Sequence, residues 1–200
     1  MRRASLTGGL VLLVAVWAGP LPETAARSFA AHMFIHMTVV AIAAPLLAMG
    51  LAGSRIDPAR KTPRAFAAVP ASFVELAVVW VWHAPVFHHA AAAGGPAFAA
   101  EQASFLAAGL FFWRSVLAST GTQARIESNG LVALLLTFAH MTLLGALFAL
   151  TPRPLYHTEL ASALADQQLG GVLMLVVSAG SYIGGALWIA GGLLRSRARA

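Results

Sequence analysis

The 200 residues contain no cysteine, and only 10% of them are charged. The missing cysteine excludes a disulfide-stapled secreted module and any thiolate metal site. Soluble domains carry about 25% charged residues, so the low charge excludes a soluble globular enzyme and a disordered tail. There is no Walker loop, dinucleotide fingerprint, nucleophile elbow or HExxH, which leaves ATPase and serine hydrolase chemistry without support. No set of alternating ten-residue strands that could close a barrel is present. What remains is apolar: 59% of the residues are hydrophobic and the mean hydropathy is +0.77.

Thirty ångströms of hydrocarbon takes about 20 helical residues to cross. Six apolar stretches approach that length, at about Leu6–Gly19, Phe29–Ala52, Ala65–His83, Ala97–Trp113, Gly130–Leu150 and Leu169–Leu194. The expected fold is all-α, a single polytopic membrane helix bundle of about six transmembrane helices spanning residues 1–200. The first stretch is short and follows Arg2 and Arg3, as a signal peptide would, with Glu23-Thr24-Ala25-Ala26 a weak cleavage candidate; a retained helix is the preferred reading.

The basic residues fix an orientation. Arg2, Arg3, Arg55, Arg60, Lys61, Arg64, Arg114, Arg125, Arg195, Arg197 and Arg199 fall on one side of six alternating spans, and only Arg27 and Arg153 on the other. Short Lys/Arg-rich loops stay in the cytoplasm, so both termini are expected there. The same split accounts for the sequence pI of about 11.3 without nucleic acid.

The seven histidines are also one-sided. His32 and His36 lie in the outer half of the second span, and His83 ends the third. His88 and His89 follow in what reads as a solvated external loop, with an entry relay as the alternative, and with Ala90–Ala93 and Gly94-Gly95-Pro96 as its turn. His157 lies in the last outer loop, and His140 is near the middle of the fifth span. An imidazole in hydrocarbon is costly unless paired or ligating, so each inside a span is a functional candidate. His32 and His36, four apart, share a helix face, and Met33 and Met37 fall on a neighbouring stripe. Imidazole with thioether suits copper, above all Cu(I); the bland alternative is interhelical hydrogen bonding with methionine as filler. His83, after Trp80 and Trp82, reads equally as an interfacial anchor or a ligand.

Three acids could orient such ligands. Glu75 and His140 lie equally deep; Glu75 either pairs with His140, the preferred reading, or is protonated and bonded to a backbone carbonyl. Glu101-Gln102 and Asp166-Gln167-Gln168 open the fourth and sixth spans, where acids stabilise helix N-termini. The glycines at Gly170-Gly171 and from Gly180 to Gly185 have small-xxx-small spacing, read as close helix packing.

Several motifs then stand in a familiar order. Ser28–Gly50 holds His32-Met33, His36, Ala44-Pro45-Leu46-Leu47 and Gly50. Trp82-His83-Ala84-Pro85 follows, then Glu101 with Gly109 and Phe112-Trp113, then Gly145, Pro152-Arg153-Pro154-Leu155-Tyr156 and Asp166-Gln167-Gln168-Leu169-Gly170-Gly171. This pattern resembles the CtaG family of cytochrome c oxidase assembly factors, the membrane type named from the caa3 oxidase. The resemblance implies a bacterial inner-membrane protein that serves a copper-containing terminal oxidase, at a copper-loading step, with an oxidase subunit as partner. It carries the family's histidines onto His32, His36 and His83 and its acidic motif onto Asp166. The chain departs from the family at Gln102, where histidine is common, at Leu51 and Ala52, where proline follows the glycine, and in being shorter than members with seven helices.

Three readings follow. In the preferred one, an assembly factor binds copper on its outer face through His32, His36 and His83, with His140, Met33 and Met37 as transfer ligands and Glu75, Glu101 and Asp166 behind them. Such a protein is a carrier, not an enzyme. The alternatives are a membrane electron carrier with haem between His36 and His140, and a metal-free scaffold for an oxidase subunit.

Overall fold

The computed structural model describes residues 2–119, 124–156 and 162–197. Every regular element among them is helical. Helix α1 (Arg2–Trp17) leads through the short α2 (Leu21–Ala25) to α3 (Phe29–Met37), which continues through a π-helical turn at Thr38–Ala43 into α4 (Ala44–Leu51). A basic-side connection holds α5 (Pro58–Lys61) and a 3-10 turn at Pro63–Ala65. Then come α6 (Ala68–Trp82), α7 (Pro85–Ala92), α8 (Gly95–Ser119), α9 (Ala124–Leu150) and α10 (Ala163–Ser178), the last running through a second π-turn, Ala179–Ile183, into α11 (Gly184–Arg197). His157 and Arg199 lie outside the described residues.

Among the described residues, three runs are long and apolar enough to cross a membrane: Phe29–Leu51, Ser128–Leu150 and Ala163–Arg195. A fourth arises if α6 and α7, bent by 72°, count as one broken span. Pro85 makes that break: it cannot donate to the helix, and its ring pushes the preceding residue into extended backbone, as Ala84 shows with ψ 136°. Of the other two expected spans, α1 has 16 residues and α8 carries Glu101, Gln102 and Arg114 within its length. The bundle is apolar outside as well as inside: Val14, Leu143, Val176, Leu187 and Trp188 are exposed, while Glu75, Glu101 and Arg114 are buried. That inversion is the pattern of a chain solvated by lipid.

The run from α3 to α4 is the central element, and Pro45 shapes it. Proline cannot donate to the carbonyl four residues back, which leaves the Ala41 oxygen open. The Ser181 hydroxyl donates to it at 2.7 Å. The Ala44 N–H reaches past Val40 to the Val39 oxygen, and the freed Val40 carbonyl accepts from the Trp113 indole at 3.1 Å. Backbone polar groups at this depth have no water to turn to, so two neighbouring helices supply the donors.

Glycines set the closest approaches. A Cβ on Gly171 would lie 2.5 Å from the Ala149 nitrogen and 2.6 Å from the Gly145 oxygen, so α10 and α9 meet backbone to backbone. A Cβ on Gly170 would strike the Phe29 ring at 2.5 Å. Gly180 and Gly184, by contrast, have nothing within 4 Å; close packing holds for the first glycine pair and not for these two. Gly171→Ala is therefore expected to lower stability by about 1–3 kcal/mol, the usual overpacking cost. Thermal unfolding in detergent checks it, with Gly180→Ala as a substitution that meets open space.

The contacts define two ends. Leu6 meets Gly50, Ser119 meets Gly130, and Asp57 meets Arg114 at the basic end. Trp17 meets Gln102, Ser28 meets Asp166, and Tyr156 meets His83 at the other. The histidines belong to the second end and the layer beneath it.

Candidate functional site

The site begins with the capping of α3. Ser28, extended at φ −131° and ψ 120°, accepts from the Ala31 N–H, the usual N-cap arrangement. Asp166, in the first turn of α10, adds a carboxylate: Oδ1 accepts from the Ser28 hydroxyl at 2.7 Å and from the Ala30 N–H at 3.4 Å, and Oδ2 accepts from the Phe29 N–H at 2.6 Å. The donors are the otherwise orphaned N–H groups of the helix start, and the charge lies at its positive end. Asp166 thus reaches 138 residues back along the chain to set how α3 is seated, and with it where His32 and His36 point.

Both histidines are buried, at 1% and 0% exposure. His32 Nε2 lies 3.1 Å from Glu101 Oε1 of α8. The other Glu101 oxygen accepts from the Gln102 amide at 3.2 Å, whose oxygen accepts from the Trp17 indole at 3.0 Å. Glu101 therefore lies in the second turn of α8, interior and facing an imidazole, rather than at an exposed helix opening. The His36 ring stands edge-on to His83, centroids 5.1 Å apart, and tilts against Phe105 at 4.2 Å.

His83 caps the end of α6. Its Nδ1 is 2.6 Å from the Val79 carbonyl oxygen. A carbonyl only accepts, so the proton sits on Nδ1 and the lone pair on Nε2, the arrangement that orients ligating histidines. Tyr156 secures the same corner, its hydroxyl donating to the His83 carbonyl at 2.5 Å. Tyr156 lies beyond the end of α9, and burial holds its phenol well above the ordinary value, in the hydrogen-bond-donating form.

His88 overturns its expectation. Instead of a solvated loop residue, it is buried on α7, its ring 4.7 Å from that of His32, 4.1 Å from Tyr156 and 5.4 Å from Phe29. Pro85 is suited to the first turn of a helix, so the chain after Trp82-His83-Ala84 starts α7 rather than a loop, and Ala90–Ala92 belong to that helix. The connection is only Ala93 and Gly94, with Gly94 at φ 81°, before α8 opens at Gly95, itself at φ 63°. His89 lies on the exposed side of α7.

The expected Glu75–His140 pair does not form. Glu75 Oε1 accepts instead from the Tyr182 hydroxyl at 3.2 Å, while among the described residues neither ring nitrogen of His140 on α9 has a hydrogen-bond partner. Equal depth put the two residues in one layer but on different neighbours. Met33 and Met37 are buried in the apolar core. Met33 packs toward Gly170 of α10, off the face that His32 and His36 present to α8 and α6.

Four imidazoles, those of His32, His36, His83 and His88, thus gather with one carboxylate, Glu101. Among the described residues, neither ring nitrogen of His36 or His140 has a hydrogen-bond partner, nor does Nε2 of His83. Among the described residues, no three His, Asp or Glu side chains already stand in ligating geometry. A crevice of about 270 Å³ reaches His32 from the surface between α2 and the α7–α8 turn, with Glu23 at its mouth and Phe98 on its wall. A cation could be drawn to that acid and meet His32 first.

Neither curated proteins nor solved structures include a match to this chain. A family model described as cytochrome c oxidase caa3 assembly factor (Caa3_CtaG) matches residues 1–196, nearly the whole length, in keeping with an all-helical bundle of membrane-crossing hydropathy that buries histidines at one end. The chain belongs to the cytochrome c oxidase caa3 assembly factor family.

Proposed function

We propose that this assembly factor carries copper to an oxidase subunit through its histidine end, facing the outside of a bacterial inner membrane. The positive-inside rule supports that orientation: the basic end lies in the cytoplasm, with six membrane-crossing segments and both termini there. His32, His36 and His83 bind the ion, and His140 receives or releases it one layer deeper. The protein is a carrier rather than a catalyst.

The observation that carries this reading is the set of buried ring nitrogens on His36, His83 and His140 without hydrogen-bond partners. Buried polar atoms are nearly always satisfied, and orphaned imidazoles from three helices together make a nitrogen-rich pocket suited to copper.

Copper analysis of the detergent-purified protein under reducing conditions tests it. Wild type is expected to retain copper. His36→Ala is expected to weaken binding by about tenfold or more, the scale on which even outer partners of a metal site act, while His89→Ala, on the exposed side of α7, leaves it unchanged. No bound copper, together with unchanged oxidase copper content in a deletion strain, would defeat the proposal.

A further inference from the structure

At the end of the bundle opposite the histidines lies a cavity of about 540 Å³, bounded by the start of α6, the end of α8 and the connection from α5. Arg60, Phe66, Val69, Pro70, Arg114 and Asn129 are among its lining residues. Arg114 is 4% exposed. Its Nε and Nη2 donate to Asp57 at 2.9–3.1 Å. Among the described residues Nη1 has no hydrogen-bond partner, and the Arg114 side chain is part of the cavity lining.

The same cavity takes in the first residues of α6. No side chain caps that helix, whose N-cap is Ala67. The opening N–H groups of a helix have no acceptor within it and carry its positive partial charge. Ala67, Ala68 and Val69 line the cavity. An uncapped helix start and an unspent guanidinium nitrogen therefore meet in one space. Arg60 adds a cation at the rim, its Nη1 on the Gly53 and Ser54 carbonyls at 3.3 and 3.5 Å. Asp57 neutralises one of the two arginines, so the site keeps a net positive charge.

We infer that this cavity binds a phosphate group, with the helix start and Arg114 Nη1 as donors and Arg60 at the rim. The phosphate has two possible sources. The walls formed by Phe66, Val69 and Pro70 suit the glycerol and upper acyl carbons of an anionic phospholipid, and basic pockets between membrane helices bind such headgroups. Inorganic phosphate offers the same oxygens without the apolar part.

The test is the thermal midpoint of the full-length protein in detergent, titrated with phosphatidylglycerol, phosphatidylcholine or inorganic phosphate. Phosphatidylglycerol is expected to raise the midpoint saturably and phosphatidylcholine to leave it unmoved. Arg60→Gln is expected to weaken the half-saturating concentration about fivefold, the effect of one basic residue at an anionic surface. Ala118→Phe, which puts a bulky side chain into the cavity lining, is expected to abolish the shift. If inorganic phosphate matches phosphatidylglycerol and both shifts vanish in Ala118→Phe, the site stands and its ligand is the soluble ion. Equal shifts with both lipids, or a phosphatidylglycerol shift that survives Ala118→Phe and Arg60→Gln, would overturn the inference.

Discussion

Asp57→Asn is expected to destabilise the protein by about 3–5 kcal/mol, the range for removing one partner of a buried ion pair. Asp57 and Arg114 are 1% and 4% exposed. The carboxylate takes the forked guanidinium on both oxygens, at 2.9 Å each to Nη2, while accepting the Gly53 N–H at 2.7 Å and the Ala59 N–H at 3.1 Å. An asparagine would turn an amide N–H toward the guanidinium and leave that charge buried without its counterion. Arg114→Met in the same chain is expected to recover much of the loss, because the pair together is replaceable where one half is not. The pH dependence has a definite sign. Burial opposes ionisation of Asp57, but the Gly53 N–H and the Arg114 guanidinium outweigh it and hold the carboxyl below its ordinary 3.8. A depressed folded pKa contributes stability that is present above the unfolded value and lost as pH falls through the folded one. The difference between wild type and Asp57→Asn should stay flat from pH 7 to about 5 and shrink below about 4, near the unfolded carboxyl value. Thermal unfolding across that range measures it.

Asp166→Ala is expected to cost about 2–4 kcal/mol, from two short charge-assisted bonds and one longer one. Its effect should be local as well as global. Hydrogen exchange at Phe29, Ala30 and Ala31 is expected to accelerate beyond what the loss of global stability explains, since two of those N–H groups point at the carboxylate. Copper retention should fall with it, because α3 would no longer be held at the rotation that brings His32 to Glu101 and His36 to His83. Asp166→Asn, which keeps one acceptor oxygen, should recover part of both. Full exchange protection at the α3 start in Asp166→Ala would show that packing alone seats the helix.

Local chemistry explains which of these features could be read from residue order. Hydrophobic runs mark the membrane-length segments, and the four-residue spacing of His32 and His36 places both on one face, as the structure has it. Pro85 could have signalled a new helix, and with it a buried His88, had its first-turn preference been weighed against the loop-like glycines after it. Partners contributed by distant segments were not legible. Asp57 finds Arg114 from 57 residues away, and Tyr182 finds Glu75 from 107. Depth along a span can be counted from its end, but the side a residue faces depends on which helix packs there. That is why Glu75 and His140 were matched in layer and mismatched in partner. Helix lengths also differ from the hydrophobic runs: α8 extends to Ser119, well past the last apolar stretch, because Arg114 is neutralised inside the bundle rather than left at its edge.

The π-turn at Thr38–Ala43 divides one span into two reading frames. A turn that holds an extra residue puts the segment after it out of phase with the segment before it, by about 100° about the axis. The half toward the basic end can then seat Leu47 and Gly50 against α1 while the histidine half independently aims its imidazoles. Deleting any one residue in that turn would restore a regular helix and swing the histidine half round, with every histidine still present in the chain. The placement of those rings therefore depends on a count of residues as much as on their identities.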